Sequence, residues 1–259
     1  MVGVLSIDNV TKRFTDHQGS IITALSDINL QVKPGSFVSL IGPSGCGKST
    51  LLRLIAGLAA PDSGRVSLDG EPIGKPGSDR GFMFQEHTLF PWMNIYQNVA
   101  FGLKARKLYK GNADRVKELI GLVGLQGFEK NYPHQLSGGM CQRAALARAL
   151  AGHPKVLLLD EPLGALDAFT RMNMQDEILR IRREEEMTMI MVTHDVDEAV
   201  YLSDRIVVMT PRPGRIVRLV DVELSHPRAR SGDDFLKYHA RVLQLLEYGG
   251  TVREPDYYL

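Results

Sequence analysis

The sequence is poor in cysteine and carries almost no net charge. Two cysteines, Cys46 and Cys141, occur in 259 residues, and neither their number nor their spacing suggests a disulfide framework or a zinc site. We therefore expect a protein of the reducing cytosol. Lysine and arginine number 31 against 30 aspartates and glutamates, so the net charge of +1 gives no electrostatic argument for a nucleic-acid partner.

Long apolar runs are also lacking. The longest, such as residues 54–60 and 156–159, fall far below the ~20 residues that a membrane-spanning helix needs. Residues 1–8 lack the charged start and apolar core of a secretory signal. We expect a chain that does not itself span a membrane. Its composition, 44% hydrophobic and 24% charged, fits one large domain or one domain with an appended lobe.

Short runs rich in valine, isoleucine and leucine recur along the chain, and most are followed by a polar or glycine-rich loop and a helical pattern. This arrangement is typical of a buried parallel sheet. The predicted parallel strands are residues 37–41, 81–84, 156–159, 188–192 and 205–209. Apolar and polar residues alternate more clearly in residues 5–10, 25–32 and 64–68, which predicts a smaller antiparallel sheet.

The strand pattern disappears in residues 93–152. Apolar residues recur there at helical spacing between positions 113 and 123, after an N-cap predicted at Asn112. We interpret this stretch as an inserted helical subdomain. A further amphipathic helix is predicted around Phe235 to Leu246, stopped by Gly249 and Gly250.

A glycine-rich loop lies between a predicted strand and a predicted helix. It reads Gly42-Pro43-Ser44-Gly45-Cys46-Gly47-Lys48-Ser49-Thr50 and matches the phosphate-loop pattern G-x-x-x-x-G-K-S/T in the context that confirms it. Its backbone N–H groups and the helix N-terminus favour phosphate. We predict that Lys48 reaches the β- and γ-phosphates of ATP, that Ser49 binds Mg²⁺, and that Cys46 is a reactive thiol protected by nucleotide.

Two carboxylates, Asp160 and Glu161, directly follow the apolar run 156–159. At the mouth of a strand they would have a large desolvation cost unless a metal, a donor or a reacting water engaged them. We predict that Asp160 belongs to the Mg²⁺ shell and that Glu161 polarises the attacking water. Gln85 and His194 also follow predicted strands, so both are candidates for catalysis at the phosphates, and Gln85 is a candidate metal ligand as well.

The segment Leu136-Ser137-Gly138-Gly139-Met140, followed by Cys141-Gln142-Arg143, resembles the signature of ABC ATPases. Alone, it could be the start of a serine-capped helix. The order of motifs makes the resemblance specific: phosphate loop, Gln85, signature, the strand ending at Glu161, Gly164-Ala165-Leu166-Asp167, and His194. It covers residues from about 5 to 220.

The resemblance implies a head-to-tail dimer of identical chains. In it, Ser137, Gly138 and Gly139 of one subunit would close over the ATP that the phosphate loop of the other subunit binds. It also implies that Asp167 communicates across the dimer and that Phe14 stacks on adenine. The family more often has tyrosine at position 14, and a core phenylalanine is the alternative.

Position 140 is methionine, where many ABC ATPases have glutamine. In this respect the sequence is similar to the importers of nitrate, sulfonates and taurine. Residues 89–94, 98–103 and 211–216 also resemble that group.

These observations predict an α/β fold, a P-loop NTPase of the ABC type with a mostly parallel sheet core, an antiparallel β subdomain and an inserted helical subdomain. We expect a single ABC ATPase domain over residues 1–259. Its expected parts are a catalytic core with the β subdomain (1–92 and 153–220), a helical subdomain (93–152) and a C-terminal extension (221–259). The expected cofactors are ATP and Mg²⁺.

The leading hypothesis is the ATP-hydrolysing subunit of a bacterial importer. Its expected partners are a second copy of the chain, integral-membrane permease subunits and, indirectly, a solute-binding protein. It would lie peripherally at the cytoplasmic face of the inner membrane. The apolar residues 89–92 would receive a helix of the permease or, alternatively, pack within the helical subdomain. The competing hypothesis is a non-transport ABC ATPase, although one uninterrupted cassette favours transport. An exporter half is less favoured, because such halves are commonly fused to their membrane domain.

Overall fold

The computed structural model describes residues 3–85, 88–164 and 166–249. The chain has an α/β fold that divides into two compact units. We call Val4–Lys75 with Val192–Leu259 the phosphate-loop unit, and Met1–Gly3 with Pro76–Met191 the signature unit. Residues 250–259 and the predicted stop at Gly250 lie outside the described residues.

The phosphate-loop unit contains the predicted antiparallel sheet. Its strands are β1 (Leu5–Thr15), β2 (Ile21–Val32), β4 (Ser63–Leu68) and β5 (Glu71–Pro72), in the spatial order β2-β1-β4-β5. β1 pairs antiparallel with both neighbours, so Leu5 lies opposite Val32 on one side and Leu68 on the other. The register between β1 and β2 shifts after Ile7 and after Val10, and β1 continues beyond the predicted end of the strand.

The same unit also contains three strands of a second sheet, which lie in the order β10-β9-β3. These are β3 (Phe37–Ile41), β9 (Arg205–Met209) and β10 (Ile216–Asp221), of which β3 is parallel and β10 antiparallel to β9. Its helices are α1 (Lys48–Ala56), α6 (Val196–Leu202) and α7 (Asp233–Gly249). Every residue of β3 is buried, as expected for a central parallel strand.

The signature unit combines strands β6 (Arg80–Met83), β7 (Val156–Asp160) and β8 (Thr188–Val192) with four α-helices. β6 and β7 are parallel. The helices are α2 (Ile95–Ala105), α3 (Ala113–Leu122), α4 (Gly138–Leu150) and α5 (Ala168–Glu185), with 3₁₀ turns at Tyr109–Gly111 and Pro133–Gln135. α2, α3 and α4 pack against one another. Residues 93–152, all of them described, contain these helices and no strand.

Three of the five predicted parallel strands, 37–41, 188–192 and 205–209, have the predicted bounds, and the other two differ by one residue. The N-cap predicted at Asn112 is confirmed in position, but its side chain makes no capping hydrogen bond. Asn112 occupies the position before α3, but its side chain donates to Leu108 O at 2.9 Å and does not accept from the helix. None of the helices in the described ranges reaches the combination of length and hydropathy that a membrane span requires.

Candidate nucleotide-binding site

The phosphate loop connects the buried end of β3 to the start of α1. Pro43, Ser44 and Gly45 are exposed, so the loop rises from the core to the surface. Gly47 has a φ of 102°, and a Cβ there would lie 2.6 Å from Leu25 Cδ2, so only glycine fits. The loop thereby presents the start of α1, where N–H groups and the helix dipole favour an anion.

Lys48 lies across the inside of this loop. Its side chain is buried, and Nζ donates to Gly42 O at 2.8 Å and to Pro43 O at 3.0 Å. Carbonyl oxygens hold the ammonium group in place without neutralising its charge. Ser49 and Thr50 follow in the first turn of α1 and are half-buried. The lysine is therefore placed to meet phosphate oxygens that enter the loop.

Cys46 is fully buried within the loop, with Sγ 3.9 Å from Lys48 Nζ. Its backbone N–H donates to Pro43 O at 3.3 Å. The prediction of a reactive thiol at Cys46 is wrong, because an alkylating reagent cannot reach a sulfur with no exposed surface. The sequence indicated where Cys46 lies in the loop but not which way its side chain faces.

In the signature unit, β7 ends at Asp160 and Glu161 begins the following turn. Asp160 is 4% exposed, whereas Glu161 is half-buried and has a φ of 47°. A residue with a Cβ in this left-handed region has a strain on the order of 1–3 kcal/mol, which is characteristic of functional sites. The turn gives two carboxylates that are adjacent in sequence different surroundings.

Gln85 follows β6 and contacts the second of these carboxylates. Its Nε2 donates to Glu161 Oε2 at 2.9 Å. Because β6 and β7 are parallel neighbours, the residues after their carboxyl ends lie at the same edge. The structure thus brings Gln85 and Glu161 together, as the strand-end positions predicted.

His194 is exposed in the turn between β8 and α6. The turn is fixed by Thr193, whose N–H donates to Leu40 O at 3.2 Å and whose Oγ1 donates to Glu198 Oε2 at 2.6 Å. Asp195 caps α6 by accepting from the Glu198 N–H at 3.1 Å. Buried hydrogen bonds therefore hold the backbone on either side of an exposed imidazole.

The signature segment forms the N-terminus of α4. Ser137 is the N-cap, and its Oγ accepts from the Met140 N–H at 3.3 Å. Ser137 and Gly138 are exposed, and α4 has no acidic side chain in its first turn. A Cβ at Gly139 would lie 3.0 Å from Thr170 Cγ2. This helix start is open to an anion and closely packed on its inner side.

Asp167 is exposed and caps α5 by accepting from the Thr170 N–H at 3.0 Å. Hydrogen bonds from Thr170 hold the pKa of Asp167 below its ordinary value, so the carboxylate is charged at neutral pH. Ala165, in the motif that leads to Asp167, lies outside the described residues. The structure gives Asp167 a capping contact, and its role between subunits stays a prediction.

Phe14 is on β1 and is 48% exposed. The Lys12 Nζ lies 5.4 Å from the centre of its ring. Of the two alternatives for this residue, the core position is wrong. An exposed ring can stack on a base, and stacking on adenine stays a prediction.

The candidate residues thus fall into two sets. The phosphate-loop unit carries Phe14, the loop 42–50 and His194, while the signature unit carries Gln85, Asp160, Glu161, the signature residues 137–139 and Asp167. Within each set the structure supports the positions that the sequence predicted. Their roles toward ATP stay predictions.

The signature unit also has a groove of about 700 Å³ beside Gln85. Its described lining, which leaves out residues 86 and 87, has no carboxylate and includes four phenylalanines and three arginines: Phe82, Phe84, Phe90, Phe101, Arg80, Arg106 and Arg148. Phe90 touches Phe101 and Trp92, with ring centres 4.6 and 5.5 Å apart, and Trp92 is 70% exposed. The predicted docking segment 89–92 therefore has both buried and exposed side chains, since Leu89 is only 7% exposed and Trp92 is largely exposed.

Sequence reasoning missed two side chains that support these segments. Asn98 is fully buried and bonds to the backbone of the loop that carries Trp92, including Phe90 N at 2.8 Å and Met93 O at 2.9 Å. Arg212 donates to Gly45 O in the phosphate loop at 3.2 Å. Both residues lie in segments that the sequence linked only to a subfamily resemblance, and no local pattern indicated these contacts.

Comparison with known proteins gives consistent results. A family model described as ABC transporter matches residues 25–164. The chain is 49% identical over 249 residues to the aliphatic sulfonates import ATP-binding protein SsuB of Bacillus cereus, which covers 96% of this chain and 98% of that protein. It is 48% identical to the nitrate import ATP-binding protein NrtC of Synechococcus elongatus, over 87% of this chain and 35% of that protein.

A solved ATP-binding cassette, seen as a dimer in a post-hydrolysis state bound to ADP and Pi, is similar in structure. The TM-score is 0.74 at 33% identity, over 85% of this chain and 100% of that one. The chain belongs to the ABC transporter family and is an ATP-binding cassette that hydrolyses ATP.

Proposed function

We propose that this cassette is the ATP-hydrolysing subunit of a bacterial importer. The observation that carries the proposal is the phosphate loop with its enclosed Lys48, in a chain 49% identical to an import ATP-binding protein over nearly its whole length. ATP binding would close a dimer and hydrolysis would reopen it, and this cycle would drive a separate membrane permease between two states. The subunit would lie peripherally at the cytoplasmic face of the inner membrane.

The residue roles follow from the chemistry of each side chain. Lys48 and the loop N–H groups would bind the phosphates, and Glu161 would polarise the attacking water, with Gln85 and His194 beside the reacting group. Phe14 would stack on adenine. Ser49, Gln85 and Asp160 each offer an oxygen donor, the type that Mg²⁺ prefers, so these residues fit the ion chemically. Mg²⁺ would supply charge neutralisation at the phosphates.

The cassette would act as a head-to-tail dimer. Ser137, Gly138 and Gly139 of one subunit would meet the nucleotide on its partner, and Asp167 would lie near the contact. The open, acid-free N-terminus of α4 supports this, because such a helix start attracts phosphate. We retain the division into a core (1–92 and 153–220), a helical subdomain (93–152) and a C-terminal extension (221–259) as part of the proposal.

The permease would dock in the groove beside Gln85. Aromatic side chains and arginines are enriched at interface anchors, and the groove lining combines both. Arg80 is paired with Asp79 at 2.8 Å, but among the lining residues that the structure describes, no carboxylate balances Arg106 and Arg148. We therefore expect a partner segment that carries apolar and acidic side chains.

Replacement of Trp92 by alanine tests the docking site. We expect Trp92→Ala to reduce co-purification of the membrane subunits and ATP-driven uptake, because an exposed aromatic anchor is lost. Basal ATPase of the isolated chain should stay near wild type. Phe128→Ala is the matched control, because Phe128 is a 40% exposed aromatic residue in another loop of the same unit, whereas the Trp92 ring lies against Phe90 of the groove lining.

Equal loss in both variants, or unchanged assembly with Trp92→Ala, would count against docking in this groove. Joint loss of folding and basal ATPase would show that Trp92 supports the fold. Failure of any membrane subunit to co-purify with the wild-type chain would favour the alternative, a non-transport ABC ATPase.

The solute is proposed from resemblance alone. Relatives named for aliphatic sulfonates and for nitrate suggest a small oxyanion of the nitrate, sulfonate or taurine class, delivered by a solute-binding protein. Thermal-shift measurements on that binding protein with nitrate, an alkanesulfonate and taurine would identify the class. A response to none of the three would exclude it.

A further inference from the structure

The turn between β9 and β10, residues 210–215, lies directly against the phosphate loop. The Gly214 N–H donates to Ala24 O at 2.9 Å, and Gly214 O accepts from the Ser26 N–H at 3.0 Å. These bonds fasten the turn to β2. A Cβ at Gly214 would lie 2.0 Å from Cys46 O, so the two backbones touch with no room for a side chain.

The turn is also stiff within itself. The Thr210 N–H donates to Arg215 O and the Arg215 N–H donates to Thr210 Oγ1, both at 2.9 Å. Thr210 Oγ1 in turn donates to Pro213 O at 3.0 Å. Pro211 and Pro213 restrict φ on either side of Arg212. Arg212 therefore extends from a turn whose backbone is restrained by hydrogen bonds and by two prolines.

Arg212 places its guanidinium group on the phosphate loop. Nε and Nη2 donate to the same oxygen, Gly45 O, at 3.3 and 3.2 Å. Arg212 forms no ion pair within the described ranges, so no carboxylate there contacts its guanidinium group. A positive charge thus stays beside the loop, well inside the ~8 Å over which salt screens charges at physiological ionic strength.

These bonds also act on the peptide group that joins Gly45 to Cys46. Its oxygen accepts from Arg212, and its N–H, which is the Cys46 N–H, donates to Pro43 O at 3.3 Å. Hydrogen bonds to the oxygen of a peptide polarise the group and strengthen its N–H as a donor. The contact with Arg212 therefore fixes Gly45 directly and strengthens the hydrogen bond from Cys46 to Pro43 that closes the turn of the loop.

We propose that Arg212 is a positioning residue for the nucleotide, which fixes Gly45 of the phosphate loop and places a positive charge beside the ATP phosphates. It strengthens nucleotide binding and takes no part in the hydrolytic step. The inference rests on the proposed role of the phosphate loop, and turnover of MgATP by the wild-type chain tests that role separately.

Three substitutions separate the charge from the hydrogen bond. Arg212→Ala removes both, Arg212→Gln keeps an N–H donor, and Arg212→Lys keeps the charge and one donor. Arg215→Gln is the matched control, because it removes the same charge from the same turn. The native Arg215 side chain donates to Ser26 Oγ at 3.3 Å and not to the phosphate loop. The measurements are the Kd for MgATP and MgADP by calorimetry, the KM and kcat of the full chain, and thermal unfolding without nucleotide.

For Arg212→Ala we expect the Kd and KM to rise about three- to tenfold, with kcat within about twofold of wild type, as for loss of a charge-assisted hydrogen bond. Arg212→Lys should restore most of the affinity, and Arg212→Gln should lie between the two. The defect should shrink at high salt. The Kd and KM of Arg215→Gln should stay close to the wild-type values. The unfolding temperature of each variant without nucleotide should also stay close to that of the wild type.

An unchanged Kd in Arg212→Ala would overturn the proposal. So would an equal rise in Arg215→Gln, since general electrostatics of the turn would then explain it. A fall in kcat at constant KM, or a lowered unfolding temperature that lysine does not restore, would assign Arg212 to hydrolysis or to the fold instead.

Discussion

At the scale of single residues, the two neighbouring carboxylates show how the backbone can divide chemical roles. Asp160 closes a fully buried strand, and Glu161 lies one residue later in a left-handed turn with a hydrogen bond from Gln85. A buried carboxylate needs a cation or donors, whereas a partly exposed one can reach water. The different surroundings favour a metal role for Asp160 and a water-activating role for Glu161.

We predict that Glu161→Gln binds ATP but loses nearly all turnover, because an amide cannot polarise the attacking water while the phosphate loop is unchanged. The variant should accumulate as an ATP-bound dimer. ATPase assays and size-exclusion chromatography with and without ATP measure both effects.

Lys48→Ala is the control for this experiment. Lys48 lies inside the loop, so its loss should weaken nucleotide binding itself and leave the chain monomeric with ATP. Turnover near the wild-type rate in Glu161→Gln would remove Glu161 from the proposed mechanism.

How far single residues could be predicted depended on how local their determinants are. The phosphate loop and the strand-end carboxylates are set by a few consecutive residues, and the sequence placed them correctly. Side-chain direction is set by packing against distant segments, so the sequence could not show that Cys46 is enclosed or that Phe14 is exposed. The bond between Arg212 and Gly45 joins residues 167 positions apart, and no spacing rule predicts it.

At the scale of elements, the loop before α2 is held by one side chain of that helix. Asn98 Oδ1 accepts from the Phe90 N–H, and its Nδ2 donates to the carbonyls of Phe90, Met93 and Asn94 at 2.9–3.2 Å. A buried amide with these partners fixes the loop that presents Trp92. The proposed docking at this loop would therefore depend on a buried residue that a partner cannot reach.

We predict that Asn98→Ala lowers the free energy of unfolding by about 2–4 kcal/mol, because buried backbone groups lose their partners. Asn94→Ala, which removes the N-cap bond to the Gln97 N–H, should have a smaller effect of about 1 kcal/mol. Urea denaturation of both variants measures the two losses. Equal losses would mean that water replaces the Asn98 amide.

Elements were predictable where one physical signal dominates. The strands of the parallel core are nearly continuous apolar runs, so their bounds followed from composition. β1 was predicted too short, because register shifts after Ile7 and Val10 interrupt the alternation on which the prediction relied. Contacts, not the local pattern, extend that strand to Thr15.

At the scale of the whole molecule, the proposed dimer assembles each site from two chains. A phosphate-loop defect and a signature defect should therefore complement each other. We predict that Lys48→Ala and Gly138→Asp chains are each inactive and that their mixture regains ATPase activity. One of the two sites in a mixed dimer then has an intact loop and an intact signature, while the other carries both defects.

ATPase assays over a range of mixing ratios measure this recovery, which should be greatest near equal amounts. A mixture of Lys48→Ala with Glu161→Gln is the control, because both defects concern the loop-bearing half of the site and each site stays impaired. Absence of recovery in the first mixture would show that each chain hydrolyses ATP with its own signature segment.

Because both cysteines are buried, we expect the native chain to react little with the thiol-directed labels used in spectroscopy. Cys46 has no exposed surface, and Cys141 is 7% exposed with its Sγ donating to Pro133 O at 3.4 Å. Burial also raises the pKa of the Cys141 thiol, so little reactive thiolate forms at neutral pH. A single cysteine placed at an open position, such as Ile21→Cys at a residue 72% exposed, could carry a spin label or a fluorophore without removal of the native thiols. Pairs of such labels across the dimer would follow its opening and closing in real time.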